Sequence, residues 1–283
     1  MFASPTRKDH VGRILAPVMI NGQGPFRFIV DTGASHSTVS PALASLLGLD
    51  VADKSPILVN GITGTALVPS VQIDRLEAGA LSLENTRFPV IWAPLMAGAD
   101  GILGVAGLRR ERIFVEFTRN RVCVSRSNSV HTPLGFISIP AVRLASGLMT
   151  VNARVAGIRA RAVIDTGAER SLGNIALRDA LERVGTARNK ANTTDVFGST
   201  DAIVRGEIGT APMIALGPIK IADVDLIYGD FHIFDVWKMQ DRPALIIGMD
   251  VLGSVRSLVI DFRNQELYLE GVYFNTRPDS RVP

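Results

Sequence analysis

The sequence contains a single cysteine, Cys123, among its 283 residues. One cysteine excludes an intrachain disulfide and a cysteine-rich zinc site. The alternating segment around Cys123 predicts a buried strand position rather than a reactive thiol. The histidines are also few and lack the spacing of metal ligands: His10, His36, His131 and His232. We therefore predict no metal site and no cofactor.

Long apolar runs and a large charge of one sign are missing as well. No run of about 18 apolar residues occurs, so no membrane span is predicted. The net charge is only +3, and no platform of aromatic and basic side chains accompanies it, so we predict no nucleic-acid partner. Residues 1–10 lack the apolar segment of a signal peptide. We expect a cytoplasmic protein as written, or a periplasmic one if the chain is a trimmed mature form.

Aromatic residues make up only 6% of the chain, whereas valine, isoleucine, alanine and glycine are plentiful. This composition favours short β-strands joined by tight turns, and no predicted helix exceeds about ten residues. The length suits two domains of ordinary size. A polar, serine-rich segment at 125–133 ends in proline and is typical of a linker. We predict an N-terminal domain at residues 1–128 and a C-terminal domain at residues 129–283.

The tetrapeptide Asp31–Ala34 occurs a second time as Asp165–Ala168, and the two aspartates are 134 residues apart. Each copy follows an apolar run. A single copy would be typical of a strand that ends in an Asx-type turn. Two copies in matched surroundings favour a different interpretation, in which two carboxylates face each other, share one proton and activate a water molecule.

The surroundings of the two tetrapeptides repeat with the same spacing. Ser40 precedes a proline, a short apolar segment and Gly48, which predicts a helix N-cap, a helix and a C-cap glycine. Asn174 precedes a second helical segment, 175–184, which is followed by Gly185. The two N-cap candidates are again 134 residues apart.

Two further elements occur once in each half. Glycine-containing hairpin tips are predicted at 61–65 and 196–200, with Gly64 and Gly198 separated by 134 residues. An apolar pair before glycine follows in each half, ending at Gly104 and Gly248, which are 144 residues apart. We therefore place an insertion of about ten residues between the hairpin and this motif in the second half.

This order of elements resembles the aspartic peptidases, and the retropepsin-like branch in particular, over roughly residues 13–271. The chain is most similar to bacterial members in which two lobes are fused in one polypeptide. Alanine follows each Asp-Thr-Gly, where the pepsin branch has serine. The resemblance implies an all-β acid-protease fold of two pseudo-twofold-related β-barrel lobes with short helices.

The resemblance also implies roles for individual residues. Asp31 and Asp165 would be the catalytic pair. Four neighbours would hold the active-site loops: Thr32, Gly33, Thr166 and Gly167. Six residues would pack beneath those loops: Ile102, Leu103, Gly104, Ile246, Ile247 and Gly248. The two threonine hydroxyls would bond across the pseudo-twofold axis to the backbone of the other lobe.

The glycine hairpins would be flaps that close over an extended substrate, although plain exposed β-turns would give the same pattern. Seven residues would contact substrate: Ala34, Ala168, Ile62, Gly64, Val196, Phe197 and Gly198. Most of these side chains are apolar, which favours apolar substrate residues on either side of the cut. His36, three residues beyond Gly33, is either a cleft residue or an exposed loop histidine.

The chain departs from the family pattern after the apolar-apolar-glycine motifs. Retroviral enzymes have Arg-Asn there, whereas this chain has Val105-Ala106 in the first half and Met249-Asp250 in the second. The contacts of that arginine must be replaced or absent. Because the two halves differ, we expect a cleft that does not read substrates symmetrically.

The predicted function is that of an aspartic endopeptidase acting on a peptide or protein substrate. Each half supplies one aspartate, so we predict an active monomer. Two alternatives remain open at this stage. One is a non-catalytic peptide-binding protein on the same fold, and the other is a narrow processing protease with one partner substrate.

Overall fold

The computed structural model describes residues 4–5, 13–91, 96, 98–119, 121–127, 134–186, 188–200 and 202–272. Strands dominate these ranges. They are β1 (Ser4–Pro5), β2 (Leu15–Ile20), β3 (Gln23–Val30), β4 (Thr38–Val39), β5 (Ala52–Asn60), β6 (Thr65–Ala78), β7 (Leu81–Pro89), β8 (Gly101–Leu103), β9 (Glu111–Glu116), β10 (Arg121–Arg126), β11 (Phe136–Arg143), β12 (Met149–Val155), β13 (Ile158–Ile164), β14 (Leu172–Asn174), β15 (Arg188–Phe197), β16 (Ile203–Leu216), β17 (Ile219–Gly229), β18 (Ala244–Ile247), β19 (Val255–Asp261) and β20 (Glu266–Val272). The helices are α1 (Pro41–Leu46), α2 (Ile175–Arg183), α3 (His232–Val236) and α4 (Met249–Leu252).

The strands form two sheets. A seven-stranded sheet contains β2 to β8, in the order β4-β8-β3-β2-β6-β5, with β7 paired to β6. A thirteen-stranded sheet has the order β1-β10-β9-β19-β20-β11-β12-β13-β18-β14-β17-β16-β15. We call β2 to β8 with α1 the first lobe, and β12 to β18 with α2 and α3 the second lobe. The predicted all-β, two-lobe architecture is confirmed.

The two halves of the chain meet within the larger sheet, between its third and fourth strands. Hairpin β9–β10 comes from the first half, and hairpin β19–β20 comes from the second. Strands β9 and β19 pair antiparallel, with Val115 opposite Leu258. Strand β1 flanks β10, and β11 flanks β20. These six strands therefore join the halves by a continuous ladder of backbone hydrogen bonds.

The core is formed by alternate residues of these strands, which are buried on one face of each strand. In β9, residues alternate between buried and half-buried, because successive side chains of a strand point to opposite faces. Cys123 is 3% exposed in β10, as its sequence context predicted. A smaller apolar cluster in the first lobe includes Ile29 and Ile91, with Val68 packed against it. Among the described residues, no helix combines the length and apolar character required to cross a membrane.

Both predicted helix caps are present. Ser40 Oγ accepts the backbone N–H of Leu43 at 3.1 Å, and Pro41 opens α1. Asn174 Oδ1 accepts the N–H of Leu177 at 2.9 Å at the start of α2. The glycines after the helices, at 48 and 185, have φ of +62° and +68°, values that favour glycine.

The predicted position of the insertion needs correction. Gly61 follows β5 directly and Gly198 follows β15 directly, so these two glycines correspond, rather than Gly64 and Gly198. The extra residues of the second half are distributed. Helix α2 has nine residues where α1 has six, and further residues between β17 and β18 include α3. The predicted domain boundary at 128/129 lies outside the described residues.

Candidate active site

Asp31 and Asp165 lie where two buried strands end. Strand β3 pairs in parallel with β8, and β13 pairs in parallel with β18. The N–H of Asp31 donates to the carbonyl of Leu103 at 3.0 Å, and that of Asp165 donates to the carbonyl of Ile247 at 3.0 Å. Each aspartate is therefore fixed by the apolar-apolar-glycine strand of its own half.

The two carboxyl groups meet at the boundary between the lobes. The carboxyl groups of Asp31 and Asp165 lie close enough to each other to interact. Each carboxyl group lies close to the glycine of the opposite loop. A Cβ added at Gly33 would collide with the Asp165 carboxyl group. A Cβ added at Gly167 would likewise collide with that of Asp31. Glycine is therefore required at both positions for the two loops to come this close.

Burial raises the pKa of both carboxyl groups above the ordinary aspartate value. Asp165 is only 6% exposed, whereas Asp31 is partly exposed. The negative charge of Asp31 adds to the effect of burial and helps raise the pKa of Asp165 well above its usual range. Backbone N–H groups oppose these shifts, including that of Gly33 at 2.9 Å from Asp31 Oδ1. The pair is therefore suited to hold one proton between two carboxyl groups.

Thr32 and Thr166 lock the two loops together across the lobe boundary. The Thr32 hydroxyl donates to the carbonyl of Ile164 at 2.7 Å and accepts the N–H of Thr166 at 3.1 Å. The Thr166 hydroxyl donates to the carbonyl of Val30 at 2.6 Å and accepts the N–H of Thr32 at 3.2 Å. Both threonines are buried. This reciprocal set fixes the separation of the two Asp-Thr-Gly loops.

Gly104 and Gly248 lie directly beneath the loops. A Cβ at Gly104 would come within 2.8 Å of the Ala34 carbonyl oxygen, and one at Gly248 would come within 2.9 Å of the Ala168 carbonyl oxygen. The same carbonyls accept N–H groups from the residues that follow these glycines, at 2.9 Å in the first lobe and 2.8 Å in the second. Of the four apolar residues that precede the glycines, Leu103, Ile246 and Ile247 are buried and Ile102 is half-buried.

The sequence departure at Asp250 has a structural consequence in the second lobe. One Asp250 carboxylate oxygen accepts the Ser171 hydroxyl at 2.6 Å, and the other accepts the Ser171 N–H at 2.9 Å. The Ser171 hydroxyl oxygen in turn accepts the N–H of Gly248 at 3.0 Å. In the first lobe, Ser37 accepts the N–H of Gly104 at 3.2 Å, and the residue equivalent to Asp250 is Ala106. Asp250 therefore supplies a brace that the first lobe lacks.

We expect Asp250→Ala to lower the free energy of unfolding by about 3 kcal/mol, because it leaves the buried Ser171 N–H and hydroxyl without their charged acceptor. Urea unfolding at neutral pH measures this change. Asp74→Ala, at an exposed position of β6, is the matched control and should stay within about 0.5 kcal/mol of wild type. Equal stability of the two variants would contradict the bracing role of Asp250.

The two glycine hairpins touch each other at their tips. We call β5–β6 with tip residues 61–64 the first flap, and β15–β16 with tip residues 198–200 and 202 the second flap. The hydroxyl oxygens of Thr63 and Thr200 are 3.0 Å apart. A Cβ at Gly61 would come within 2.6 Å of the Ser199 hydroxyl, and one at Gly198 within 2.8 Å of the Thr63 hydroxyl.

The residues predicted to contact substrate from the flaps have different surroundings. Ile62 is half-buried and packs against the main core, and Gly64 faces the second flap tip. Val196 is 8% exposed, whereas its neighbour Phe197 is 54% exposed. Adjacent residues of a strand point to opposite faces, so these two lie on different faces of the second flap. Contact of any of these residues with substrate stays a prediction.

A second link joins the first flap to the second lobe. His232 Nε2, in α3, lies 2.7 Å from the Thr65 hydroxyl oxygen. The same hydroxyl donates to Asn60 Oδ1 at 2.9 Å, so the histidine ring donates its N–H to Thr65. The sequence analysis did not identify His232, since nothing in its neighbourhood indicates a partner 167 residues away. His36, by contrast, is exposed in its loop.

A cavity of about 670 Å³ opens between α1, the first flap and the tip of the second flap. Residues predicted from sequence to bind substrate do not line it. Its lining includes Pro41, Leu49, Ala66, Val68, Ser199 and Thr200. Within the described part of the chain, no group of three or more histidine, cysteine, aspartate or glutamate side chains is placed to hold a metal ion.

Comparisons with known proteins agree with this arrangement. A family profile described as "Aspartyl protease" matches residues 16–106 and 151–251, one segment around each Asp-Thr-Gly loop. The solved aspartic proteinase from Irpex lacteus is similar in fold, with 13% sequence identity, a TM-score of 0.57 and 98% of each chain covered. A search of curated proteins finds no match. Because the family profile covers both halves and most of the chain, this protein belongs to the aspartyl protease family.

Proposed function

We propose that this protein is an aspartic endopeptidase that hydrolyses peptide bonds in an extended peptide or protein substrate. The observation that carries the proposal is the close approach of the Asp31 and Asp165 carboxyl groups, each against the glycine of the opposite loop and each with a raised pKa. Two acids this close together cannot both ionise readily, so one stays protonated while the other is charged. A site of this kind holds a general acid and a general base side by side.

The proposed reaction uses both members of the pair. The charged carboxylate takes a proton from a water molecule, and the water oxygen attacks the carbonyl carbon of the scissile peptide bond. The protonated carboxyl donates its proton to the carbonyl oxygen, which gives a tetrahedral diol. A proton then passes to the leaving nitrogen, the carbon–nitrogen bond breaks, and a carboxylic acid and an amine leave. The greater burial of Asp165 favours it as the protonated member before attack.

The rigidity of the loops supports this assignment. The reciprocal bonds of Thr32 and Thr166 hold the two carboxyl groups in register, so the site need not reorganise when charge moves during the reaction. A protein that only binds peptides needs neither two coupled acids nor loops locked against each other. Strongly perturbed pKa values in a cleft are instead typical of catalytic groups.

The flaps suit an extended substrate. We propose that their tips separate to admit a peptide chain and then close over it, which excludes water from the reaction. The substrate would lie as an additional strand, held by main-chain hydrogen bonds, with side-chain pockets setting specificity. Since one chain carries both aspartates, we propose that it acts as a monomer.

We expect a peptide analogue with a central hydroxyl group to inhibit hydrolysis of its parent peptide strongly. The hydroxyl takes the place of the attacking water between Asp31 and Asp165, and such transition-state mimics bind at least about 100-fold more tightly than substrates. The inhibition constant, compared with that of the same analogue without the hydroxyl, measures the effect.

The same assay should be insensitive to a metal chelator and to a thiol reagent, because the proposed reaction uses neither a metal nor a thiolate. Cys123, the only thiol, is buried. Loss of hydrolysis on adding the chelator would contradict the two-aspartate mechanism, and equal inhibition by the hydroxyl and deoxy analogues would also argue against it.

A further inference from the structure

Helix α3 is anchored firmly in the second lobe. Phe231, directly before the helix, and Phe234 within it are each 1% exposed, and their ring centroids lie 6.4 Å apart. The Phe231 ring also packs on the end of β17, 2.7 Å from a Cβ built at Gly229. Asn174 holds the chain after the helix, because its Nδ2 donates to the carbonyl of Met239 at 2.9 Å. The helix is therefore a fixed point of the second lobe.

His232, the first residue of α3, connects this fixed point to the first flap. The ring is half-buried, and its Nε2 lies 2.7 Å from the Thr65 hydroxyl oxygen. Thr65 begins β6, and Asn60 ends β5 directly opposite it, beside the tip of the first flap. The Thr65 hydroxyl donates to Asn60 Oδ1 at 2.9 Å and so accepts the histidine N–H. One chain of hydrogen bonds thus joins both strands of the first flap to the opposite lobe.

The second flap carries an apolar pair at the corresponding position. Phe197 ends β15 and Ile203 begins β16, and the two residues are paired across the hairpin. Their side chains are 54% and 57% exposed, and neither can donate or accept a hydrogen bond. The two flaps are therefore held differently, since the pair beside the tip is polar in the first flap and apolar in the second.

We propose that His232 is a positioning residue that latches the closed first flap to the second lobe through Thr65. For its part in turnover the proposal rests on the proposed peptidase function, because a closed flap must open before a cleaved chain can leave. The hydrogen bond between His232 and Thr65 breaks on each opening and forms again on each closure. In this role His232 acts through the flap and not on the aspartate pair.

The latch is a single hydrogen bond, so its loss should have a moderate effect. A bond of this kind shifts an equilibrium by about threefold to tenfold. The contact between the Thr63 and Thr200 hydroxyls, at 3.0 Å, still joins the two flap tips when the latch is removed. Removal of the latch should therefore increase the fraction of open molecules without abolishing closure.

Flap opening is measured in the ligand-free protein from the distance between spin labels at Leu67→Cys and Lys220→Cys. Both positions are exposed, one on the first flap and the other in the second lobe, and the native thiol of Cys123 is buried. His232→Leu and Thr65→Val each remove the latch and should increase the open fraction at least about threefold. Because both remove the same bond, the double variant should open no further than either single variant.

Conservative variants separate the hydrogen bond from other effects of the side chain. His232→Gln places an amide N–H near the position of Nε2 and should keep the flap closed. His232→Asn has a shorter side chain, which places its amide near the position of Nδ1, and should open the flap as His232→Leu does. Thr65→Ser keeps the hydroxyl and should match wild type. Opening in His232→Gln and Thr65→Ser as large as in His232→Leu would assign the effect to packing and overturn the latch.

Release of a bound peptide tests the part of the latch in turnover. The peptide analogue with a central hydroxyl must leave through open flaps, so its dissociation rate should rise about threefold to tenfold in His232→Leu and Thr65→Val. Increased opening in the spin-label experiment, without cleavage of any library peptide by the wild type, would refute the peptidase and support the latch. Cleavage by the wild type, with either the open fraction or the dissociation rate unchanged in both variants, would overturn the latch and leave the peptidase standing.

Discussion

Asp31→Asn and Asp165→Asn should each reduce kcat by about 10⁴-fold or more. The proposed reaction needs one carboxylate that accepts a proton and one carboxyl that donates a proton, and the amide of asparagine does neither. The two variants should be about equally inactive, because each removes one half of the same pair. Steady-state hydrolysis of a peptide identified from an unbiased library measures the loss.

Although both Asn variants should be inactive, their free energy of unfolding at pH 7 should be higher than that of wild type. The raised pKa values mean that the folded protein holds protons on this pair more tightly than the unfolded chain does. The pair therefore contributes most stability below the ordinary aspartate pKa of 3.8, and this contribution is lost as the pH rises through the raised pKa values. An uncharged asparagine avoids that loss. Both variants should resist urea better than wild type at pH 7 and lose this advantage below about pH 3.8.

Lost activity together with increased stability would show that the variants lose catalysis and keep the fold. Asp74→Asn, at an exposed position of β6, serves as control and should leave the activity unchanged and the free energy of unfolding at pH 7 within about 0.5 kcal/mol of wild type. Substantial hydrolysis by either dyad variant, at wild-type stability, would show that Asp31 and Asp165 do not act as a pair.

Local chemistry made the central part of the site predictable from sequence. Each Asp-Thr-Gly follows a buried strand, and the same spacing relates Ser40 to Asn174 at the helix caps. Features repeated in both sequence and order imply two similar folding units, and two similar units placed face to face bring their loops together. The structure has this repetition in the parallel pairs β3–β8 and β13–β18.

Contacts between the two lobes were not predictable from sequence, because they do not follow from the repeated motifs. The Thr65–His232 hydrogen bond depends on α3, a short helix between β17 and β18 that the repeated motifs do not indicate. The hydrogen bond between Thr63 and Thr200 depends on how far each flap extends. The sequence analysis matched Gly198 with Gly64 rather than with Gly61 for a similar reason. Helix α2 is longer than α1, so the second flap begins later in its half than the first flap does.

Unequal lobes were expected from sequence, but the contacts that make them unequal were not. Differences after the Asp-Thr-Gly loops predicted unequal lobes, and Asp250 supplies one such difference. Two further differences are the Arg178–Glu207 ion pair and the packing of Phe231 against Gly206 and Gly229. Only the folded chain shows these contacts. A single sequence carries no signal that links them.

The absence of a hydroxyl after each Asp-Thr-Gly determines the expected pH range of activity. Ala34 and Ala168 present methyl groups where a serine would offer a donor to the aspartate, and a donor to the charged form lowers a carboxyl pKa. Backbone N–H groups remain, including those of Gly167 and Ala168 at 2.8 and 3.0 Å from Asp165 Oδ1. Burial outweighs these donors, and the pKa values of both aspartates are raised.

The pH–rate profile should therefore be a bell centred at weakly acidic pH, above the range of pepsin, whose pair titrates in more strongly acidic solution. Activity needs one proton on the pair, so it falls at low pH when both carboxyls are protonated and at high pH when both are charged. Raised pKa values move the upper limb to higher pH. Ala34→Ser and Ala168→Ser should each move that limb back toward acid, because the new hydroxyl stabilises the charged carboxylate. A wild-type profile that peaks below about pH 3.5 would contradict this argument, since it would require donors strong enough to offset the burial of both aspartates.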